Sequence, residues 1–269
     1  MTVRATMPRG VVRATGGDVA AYLQGQVSQD LEAIAAGEST WSLILDPSGK
    51  LIAWFRAHRL ADQEFVLDCE PDTVDALVAR LERFKLRTDA VFSIEADWQM
   101  TRHRAESPVD LAASDGDLIA QFEWPGFRCT DHLARVAAPI TEVDAGFEAA
   151  RIAAGVPRMS VDIDDETIPG EGGQALIDLS VSFTKGCYTG QELVARIDSR
   201  GGNVPRPLRV LEAVDALTLG ASIDFEGQEI GTVTSVSGTV GLARVLRKAE
   251  IDSSVTVGGV AARVIAPTG

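Results

Sequence analysis

Cysteine and histidine are both scarce in this sequence, with three residues of each among 269. The three cysteines are odd in number and far apart, so they predict no disulfide framework and no paired Cys-x-x-Cys motif. The histidines are mutually remote, and the sequence has no His-Glu-x-x-His segment, so it contains no recognisable metal site. These absences favour a reducing compartment, and we predict a cytoplasmic protein.

Long apolar runs and an excess of basic charge are also missing. No stretch approaches the roughly 20 apolar residues of a membrane span, and the opening segment MTVRATMPRGVVRATGG lacks a secretory core. Acidic residues outnumber basic ones by 39 to 25, giving a formal net charge of -14. We therefore expect neither a nucleic-acid backbone nor a membrane as a partner. No phosphate-binding loop or dinucleotide fingerprint occurs either.

What is present is a mixed pattern of strands and helices. Alternating apolar and polar residues predict a β-hairpin around Asp46–Gly49 that continues into a third strand. Helical spacing of apolar residues predicts a helix in PDTVDALVARLERF with Asp72 as its N-cap, a second in AGFEAARIAAG, and a short third in TGQELVARI. This order favours an α+β layered fold over a doubly wound sheet.

The sequence pattern changes beyond Pro205 and Pro207, where short β-rich runs alternate with glycine turns. About sixty residues of this kind predict a small β-barrel. We accordingly divide the chain into a region at 1–204 and a barrel domain at 205–269.

The stretch FTKGCYTGQELVARIDSRGG, residues 183–202, concentrates the chemistry-bearing side chains. Cys187 precedes a predicted helix start, where the helix dipole and nearby Lys185 both favour a thiolate. Gly186 and Gly190 allow a sharp turn and a close approach to a ligand. The alternative is that Cys187 is a small buried apolar residue, as most free cysteines are. We expect Cys69 at a strand end and Cys129 in a loop, and we interpret both as structural.

Basic residues cluster in and after this stretch despite the acidic total. Such a cluster can bind an anionic small ligand, although each member has an alternative reading as a surface charge. In the same way Glu192 can simply stabilise the helix dipole, and Gln191 can face solvent. The basic cluster consists of Lys185, Arg196, Arg200, Arg206 and Arg209.

The segment KGCYTGQELVAR resembles the signature of the YgfZ family of folate-binding proteins, relatives of the glycine cleavage T-protein. The segments YLQGQVSQDL, LDPSGKL, RIAAGVPR and IPGEGG occur in the family's order and extend the resemblance from about Val11 to the C-terminal barrel. The resemblance implies a three-part ring: a split first domain, a ferredoxin-like middle part at about 45–140, and a small C-terminal β-barrel.

For function, the resemblance implies a tetrahydrofolate-binding accessory protein that assembles or repairs iron–sulfur enzymes, with those enzymes or their assembly proteins as partners. Cys187 would be the functional thiol and Lys185 would tune it. The remaining signature residues would bind the folate or shape the loop. They are Gly186, Tyr188, Gly190, Gln191, Glu192, Arg196 and Arg200.

Two departures from the T-protein keep alternatives open. Ala53 and Trp54 stand where the T-protein carries aspartates on the strand after its hairpin turn, one of which acts in aminomethyl transfer. Ala153 stands where the T-protein has a pterin-binding glutamate, for which Glu171 or Glu192 are possible substitutes. A tetrahydrofolate-dependent aminomethyl- or methyltransferase is thus one alternative, and a non-catalytic interaction module that has lost folate binding is another.

Overall fold

The computed structural model describes residues 2–106, 109–199 and 201–268, which form antiparallel sheets and short helices. The strands are β1 (Val3–Pro8), β2 (Gly10–Thr15), β3 (Ser39–Leu45), β4 (Leu51–Ala61), β5 (Glu64–Cys69), β6 (Val91–Glu95), β7 (Trp98–Arg104), β8 (Leu118–Trp124), β9 (Phe127–Arg135), β10 (Glu142–Val143), β11 (Leu208–Ala213), β12 (Ser222–Phe225), β13 (Gln228–Thr232), β14 (Ser235–Ser237), β15 (Val240–Arg244), β16 (Ser254–Val257) and β17 (Val260–Ile265). The α-helices are α1 (Val19–Gln24), α2 (Val74–Arg83), α3 (Ala145–Ala153), α4 (Gln174–Ser180) and α5 (Gln191–Ser199).

The first sheet, here called the split sheet, has the order β10-β1-β7-β9-β8. Its strand β1 comes from the start of the chain, whereas β7 to β10 follow about ninety residues later. The two parts meet in an antiparallel ladder that places Met7 opposite Met100. The first layer is therefore interrupted in sequence by a second sheet.

The second sheet, the inserted sheet, has the order β3-β4-β5-β2-β6. Strands β2, β4, β5 and β6 with helices α1 and α2 give the β-α-β-β-α-β order of a ferredoxin-like unit, and β3 adds an edge strand. This unit occupies residues 10–95, whereas from the resemblance we expected it at about 45–140. The reason is non-local pairing, because β2 lies between β5 and β6, with Val12 opposite both Leu67 and Ile94.

The third sheet contains seven strands from 208–265 in the order β13-β12-β16-β17-β11-β15-β14. Its alternating apolar residues close over a separate core that includes Leu211, Ile223 and Val264. The C-terminal β-rich region and the α+β class predicted from the sequence are both present. The division at residues 204 and 205 remains a prediction about independent domains.

Three local predictions differ from the structure. Helix α2 has Thr73 as its N-cap in place of Asp72, because a 3₁₀ turn at Pro71–Thr73 precedes it. Cys129, which we expected in a loop, lies in β9 and is buried. Helix α4 was not expected, since the glycine-rich sequence before it favours irregular structure.

An aromatic core joins the split sheet to strands β3 and β4. The ring centroids of Trp41 and Trp54 are 4.8 Å apart, and those of Trp54 and Trp124 are 6.1 Å apart. Phe122 packs edge-on against Trp41 at 5.3 Å. These rings lie in one apolar cluster with residues of α3, α4 and α5, so the layers share a common core.

A buried network of ion pairs also ties the two N-terminal sheets together. Asp68 on β5 accepts hydrogen bonds from Arg9 and Arg56 at 2.9 to 3.2 Å, and His58 Nε2 lies 2.7 Å from it. Arg56 also donates at 2.9 Å to Asp131, which lies on β9 of the split sheet. The side chains of Arg56, Asp68 and Asp131 are essentially inaccessible to solvent. Each charge therefore depends on its partners for stabilisation.

Candidate functional site

Residues 182–190, here called the thiol loop, connect α4 to α5 and present Cys187 to solvent. The other two cysteines are buried, and burial raises the pKa of Cys69 to about 11 and that of Cys129 to about 12. These two thiols are therefore protonated at neutral pH and shielded from reagents. Cys187 is the accessible thiol of the described chain, so it is not the small buried apolar residue of the alternative interpretation.

Lys185 anchors the thiol loop to the segment that follows α1. Its Nζ donates hydrogen bonds to the backbone carbonyls of Gln24, Val27 and Gln29 at 2.5, 2.8 and 3.0 Å. Burial lowers the pKa of Lys185 to about 8. The ammonium is therefore still mostly protonated at pH 7, and all three of its N–H groups have acceptors.

Further hydrogen bonds hold the residues on the N-terminal side of the thiol. The backbone N–H of Ser182 donates to the carbonyl of Ser28 at 3.0 Å, and Ser28 Oγ donates to the carbonyl of Ser180 at 2.6 Å. Gln29 Nε2 donates to the carbonyl of Leu179 at 3.2 Å. The loop thus has a fixed base, from which Cys187 is held outward.

Two glycines fix the loop on its C-terminal side. Gly190 has φ +84°, and a Cβ there would lie 2.7 Å from the carbonyl oxygen of Asp46 and 2.8 Å from Leu45 Cβ. Gly49, in the β3–β4 turn, has φ +88°, and a Cβ there would lie 2.7 Å from Leu193 Cβ. The β3–β4 turn therefore packs directly against the start of α5, and this contact requires glycine on both sides.

The other predicted site residues occupy different environments. Tyr188 is buried, and its N–H donates to Gln191 Oε1 at 3.1 Å, so these two brace the helix start. Glu192 and Arg196 are exposed on the outer side of α5. Arg200 lies outside the described residues. Lys185, Tyr188 and Gln191 thus stabilise the thiol loop and the start of α5. Glu192 and Arg196 lie at the surface.

The position of the T-protein aspartates is filled by apolar packing. Ala53 and Trp54 are both buried, and Trp54 Nε1 donates to Ser180 Oγ at 3.0 Å. The cavity beside Trp41 and Trp54, here called the aromatic cavity, measures about 40 Å³. Small-molecule sites are about 300–1,000 Å³, so this cavity is far too small for a pterin.

The two carboxylates expected from the sequence to replace the T-protein's pterin-binding glutamate lie outside the aromatic cavity. Ala153 ends α3, and Trp124 Nε1 donates to the following carbonyl of Ala154 at 3.0 Å. Glu171 accepts a hydrogen bond from the N–H of Arg206, and burial raises its pKa. Among the described residues, neither Glu171 nor exposed Glu192 lines the aromatic cavity. Glu70 and Glu148 do line it, but they pair with Arg9 and Arg151. Among the described residues, a cavity of about 40 Å³ therefore offers a pterin neither the space nor an unpaired carboxylate.

A larger cavity lies between α4, α5 and the C-terminal sheet. This helix–sheet cavity has a volume of about 240 Å³, and an adjoining one of about 220 Å³ shares Gly173, Gln174 and Arg209 with it. Helix α5 contributes Val194, Ile197 and Asp198, a face opposite to that of Glu192 and Arg196. Arg209 belongs to the basic cluster seen in the sequence, but the sequence did not reveal that it faces a cavity.

We expect Lys185→Met to loosen the thiol loop, because the variant loses three hydrogen bonds to backbone carbonyls. Amide hydrogen exchange should then accelerate about tenfold in segments 24–29 and 182–190. Mass spectrometry of the corresponding peptides measures this change. Lys248→Met is the control, since Lys248 is exposed and its Nζ donates to the side chain of Gln228. Unchanged protection in Lys185→Met would contradict the anchoring role.

Similarities to known proteins bear first on the fold. The aminomethyltransferase T of the Bartonella henselae glycine cleavage system matches the structure with a TM-score of 0.77, covering 98% of this chain and 85% of that one at 15% sequence identity. The family model of the CAF17 C-terminal beta-barrel domain matches residues 206–268. The chain therefore has the α+β fold of the glycine cleavage T-protein, with a C-terminal region of the CAF17 barrel type.

Several proteins are also similar to this chain in sequence. An uncharacterised Haemophilus influenzae protein is 28% identical over 90% of this chain and 88% of its own length. A Vibrio vulnificus protein named tRNA-modifying protein YgfZ is 28% identical over 81% and 72%. A Mycosarcoma maydis homolog of the mitochondrial iron-sulfur cluster assembly factor IBA57 is 29% identical over 72% of this chain and 53% of its own. The resemblance predicted from the sequence is confirmed, because the chain is similar in sequence to a protein named YgfZ and to an IBA57 homolog, and similar in fold to the T-protein.

The described residues contain neither a candidate membrane-spanning helix nor a candidate metal site. No helix in residues 2–106, 109–199 and 201–268 has the length and apolar character needed to cross a membrane. Within the same ranges, no group of three or more His, Cys, Asp or Glu side chains is placed to hold a metal ion.

Proposed function

We propose that this protein is an accessory factor in the maintenance of iron–sulfur enzymes, and that the thiol of Cys187 is its working group. The observation that carries the proposal is the exposure of Cys187 on a loop whose base is anchored by Lys185. An exposed thiol on a fixed loop can contact a partner enzyme without first being uncovered. In this proposal the cluster belongs to the partner, since one cysteine cannot supply the usual four thiolates.

The names of the relatives support a role related to iron–sulfur clusters or to tRNA modification. We favour the iron–sulfur role as the direct one. The formal net charge of -14 disfavours contact with a tRNA backbone, which binds proteins mainly through Lys and Arg. We therefore propose iron–sulfur enzymes or their assembly proteins as partners, and the cytoplasm as the location.

A folate remains the small molecule that we propose for this chain, on the strength of the fold and of the YgfZ relatives. Aminomethyl transfer is not proposed, because Ala53 and Trp54 leave no acid or base at the position that the T-protein uses. A test of that alternative is tetrahydrofolate-dependent release of a one-carbon unit from an amine donor. Release at a rate above that of an enzyme-free control would restore it.

We expect Cys187→Ser to abolish function in a strain that lacks its own copy of the gene. Serine keeps the size of the side chain but cannot act as a thiolate nucleophile at neutral pH. The measurement is the activity of aconitase, an iron–sulfur enzyme, relative to an enzyme without a cluster such as malate dehydrogenase. Wild-type protein should restore the ratio, and Cys187→Ser should leave it at the level of the empty vector.

The matched control is Thr184→Ala, which changes an exposed side chain of the same loop and leaves Cys187 in place. This variant should restore the ratio as the wild type does. Full restoration by Cys187→Ser at equal protein abundance would refute the role of the thiol.

A further inference from the structure

The helix–sheet cavity contains a cationic group with an unmet hydrogen-bonding need. Arg209 lies at the start of β11 and is half-buried, and its Nε is inaccessible to solvent and has no hydrogen-bond acceptor among the described residues. Its one hydrogen bond there is a long one of 3.4 Å, from Nη1 to the carbonyl of the neighbouring Leu208. Within the described ranges, no carboxylate forms an ion pair with Arg209, although Glu250 exerts a weaker attraction.

Burying a guanidinium without a hydrogen-bond acceptor costs free energy, because the charge loses contact with water. The same burial lowers the pKa of Arg209. Arg244, on the same sheet, illustrates the usual arrangement, since it is paired with Asp164 and Glu171. The exposed Arg247 also lines the helix–sheet cavity and adds a second positive charge. The described lining has one acidic side chain, that of the exposed Asp198. The polar side of the cavity is therefore suited to an anion.

Part of the lining of the helix–sheet cavity is apolar. It includes Ile177 of α4, Val194 and Ile197 of α5, and the half-exposed ring of Phe183. Phe183 is part of the thiol loop, four residues before Cys187. The cavity therefore combines an anion-binding side with a surface for an apolar body, and one of its walls belongs to the loop that carries the thiol.

We propose that the helix–sheet cavity binds an organic anion whose carboxylate pairs with Arg209 and Arg247 and whose aromatic body packs against Phe183 and Ile197. This inference deepens the proposed function and rests on it in one respect, because a folate is such a ligand, with carboxylates on an aromatic body. In this proposal the helix–sheet cavity binds the carboxylate end of the folate, since the aromatic cavity cannot hold the pterin end.

The test uses two probes, 5-formyltetrahydrofolate and p-aminobenzoyl-glutamate, which shares the aromatic ring and the carboxylates but lacks the pterin. Both should bind the wild-type protein saturably in isothermal titration calorimetry. Arg209→Met should weaken binding of both about tenfold to a hundredfold, as expected for the loss of a charge-assisted hydrogen bond. Arg247→Met should act in the same direction. Arg263→Met is the matched control, because Arg263 is exposed on the same sheet and pairs with Asp252.

The outcomes separate the two proposals. If Arg209→Met and Arg247→Met bind both probes as tightly as the wild type, the site is wrong, while folate binding elsewhere stands. If neither probe binds the wild type, both the site and the folate ligand are wrong, and the Cys187 complementation assay still tests the thiol independently. Should Arg209→Met fold poorly by circular dichroism, Arg247→Met carries the test, since its side chain is exposed.

Discussion

Asp68→Asn should lower the free energy of unfolding by about 3–5 kcal/mol, the usual cost of removing one partner from a buried ion network. Asn keeps the shape of the side chain but removes the charge that faces Arg9 and Arg56. Both guanidiniums are inaccessible, so water cannot replace the lost carboxylate. The network joins β4 and β5 to β9, and its loss should also weaken the contact between the split and inserted sheets.

Urea denaturation followed by circular dichroism measures this change. Asp62→Asn is the control, because Asp62 pairs with Arg59 at the surface with 94% of its side chain exposed, and it should change stability by less than about 0.5 kcal/mol. Equal midpoints for the two variants would contradict the importance of the network.

The same variant should alter the response to acid. Burial alone would raise the pKa of Asp68, but Arg56 and Arg9 hold it well below its usual range. The unfolded chain, with a pKa of about 3.9, then binds this proton more readily than the folded one, so stability falls as the pH drops below about 5. Asp68→Asn has no titrating carboxyl at this position, so its free energy of unfolding should fall less steeply between pH 5 and pH 3 than that of the wild type.

Gly190→Ala should destabilise the protein by about 2–5 kcal/mol. A left-handed backbone costs a residue with a Cβ about 1–2 kcal/mol, and overpacking costs a further 1–3 kcal/mol or so. At position 190 both penalties apply, because φ is +84° and a Cβ would lie 2.7 Å from the carbonyl oxygen of Asp46. The β3–β4 turn would have to move away from α5, and the thiol loop would lose its C-terminal support.

Gly186→Ala is the matched control within the same loop. Gly186 is exposed, and a Cβ there would have no neighbour within 4 Å. Its effect should stay within about 0.5 kcal/mol. Thermal unfolding of both variants gives the comparison, and a Gly190→Ala protein as stable as Gly186→Ala would show that the turn and helix are not tightly coupled.

Most side chains of the KGCYTGQE segment that have contacts support the thiol loop. Lys185 and Gly190 hold the loop from its two sides, and Tyr188 and Gln191 brace the helix start. We therefore interpret the segment mainly as a support that holds the thiol of Cys187 in place, and less as a set of ligand-binding side chains. The ligand cavity that we propose lies on the other face of α5, next to Phe183.

Much of the fold could be predicted from local pattern. The hairpin turn at Asp46–Gly49, the helix behind Pro71 and the β-rich region after Pro207 all follow from turn residues and apolar spacing, which act over a few positions. Helix α4 was missed because the glycines before it favour a loop, while its burial of Leu176 and Ile177 against the aromatic core favours a helix. Cys129 was misplaced because its strand is defined by its neighbours β7 and β8.

By itself the sequence determined the α+β class, the C-terminal β-rich region, the T-protein resemblance and the importance of Cys187 as a candidate. Only the tertiary structure decided what surrounds that thiol. Lys185 bonds to Gln24, 161 positions away, and Arg209 and Ile197 line the same helix–sheet cavity. Apolar periodicity and turn chemistry are local properties, whereas these contacts depend on how the layers pack, and no short stretch of sequence encodes them.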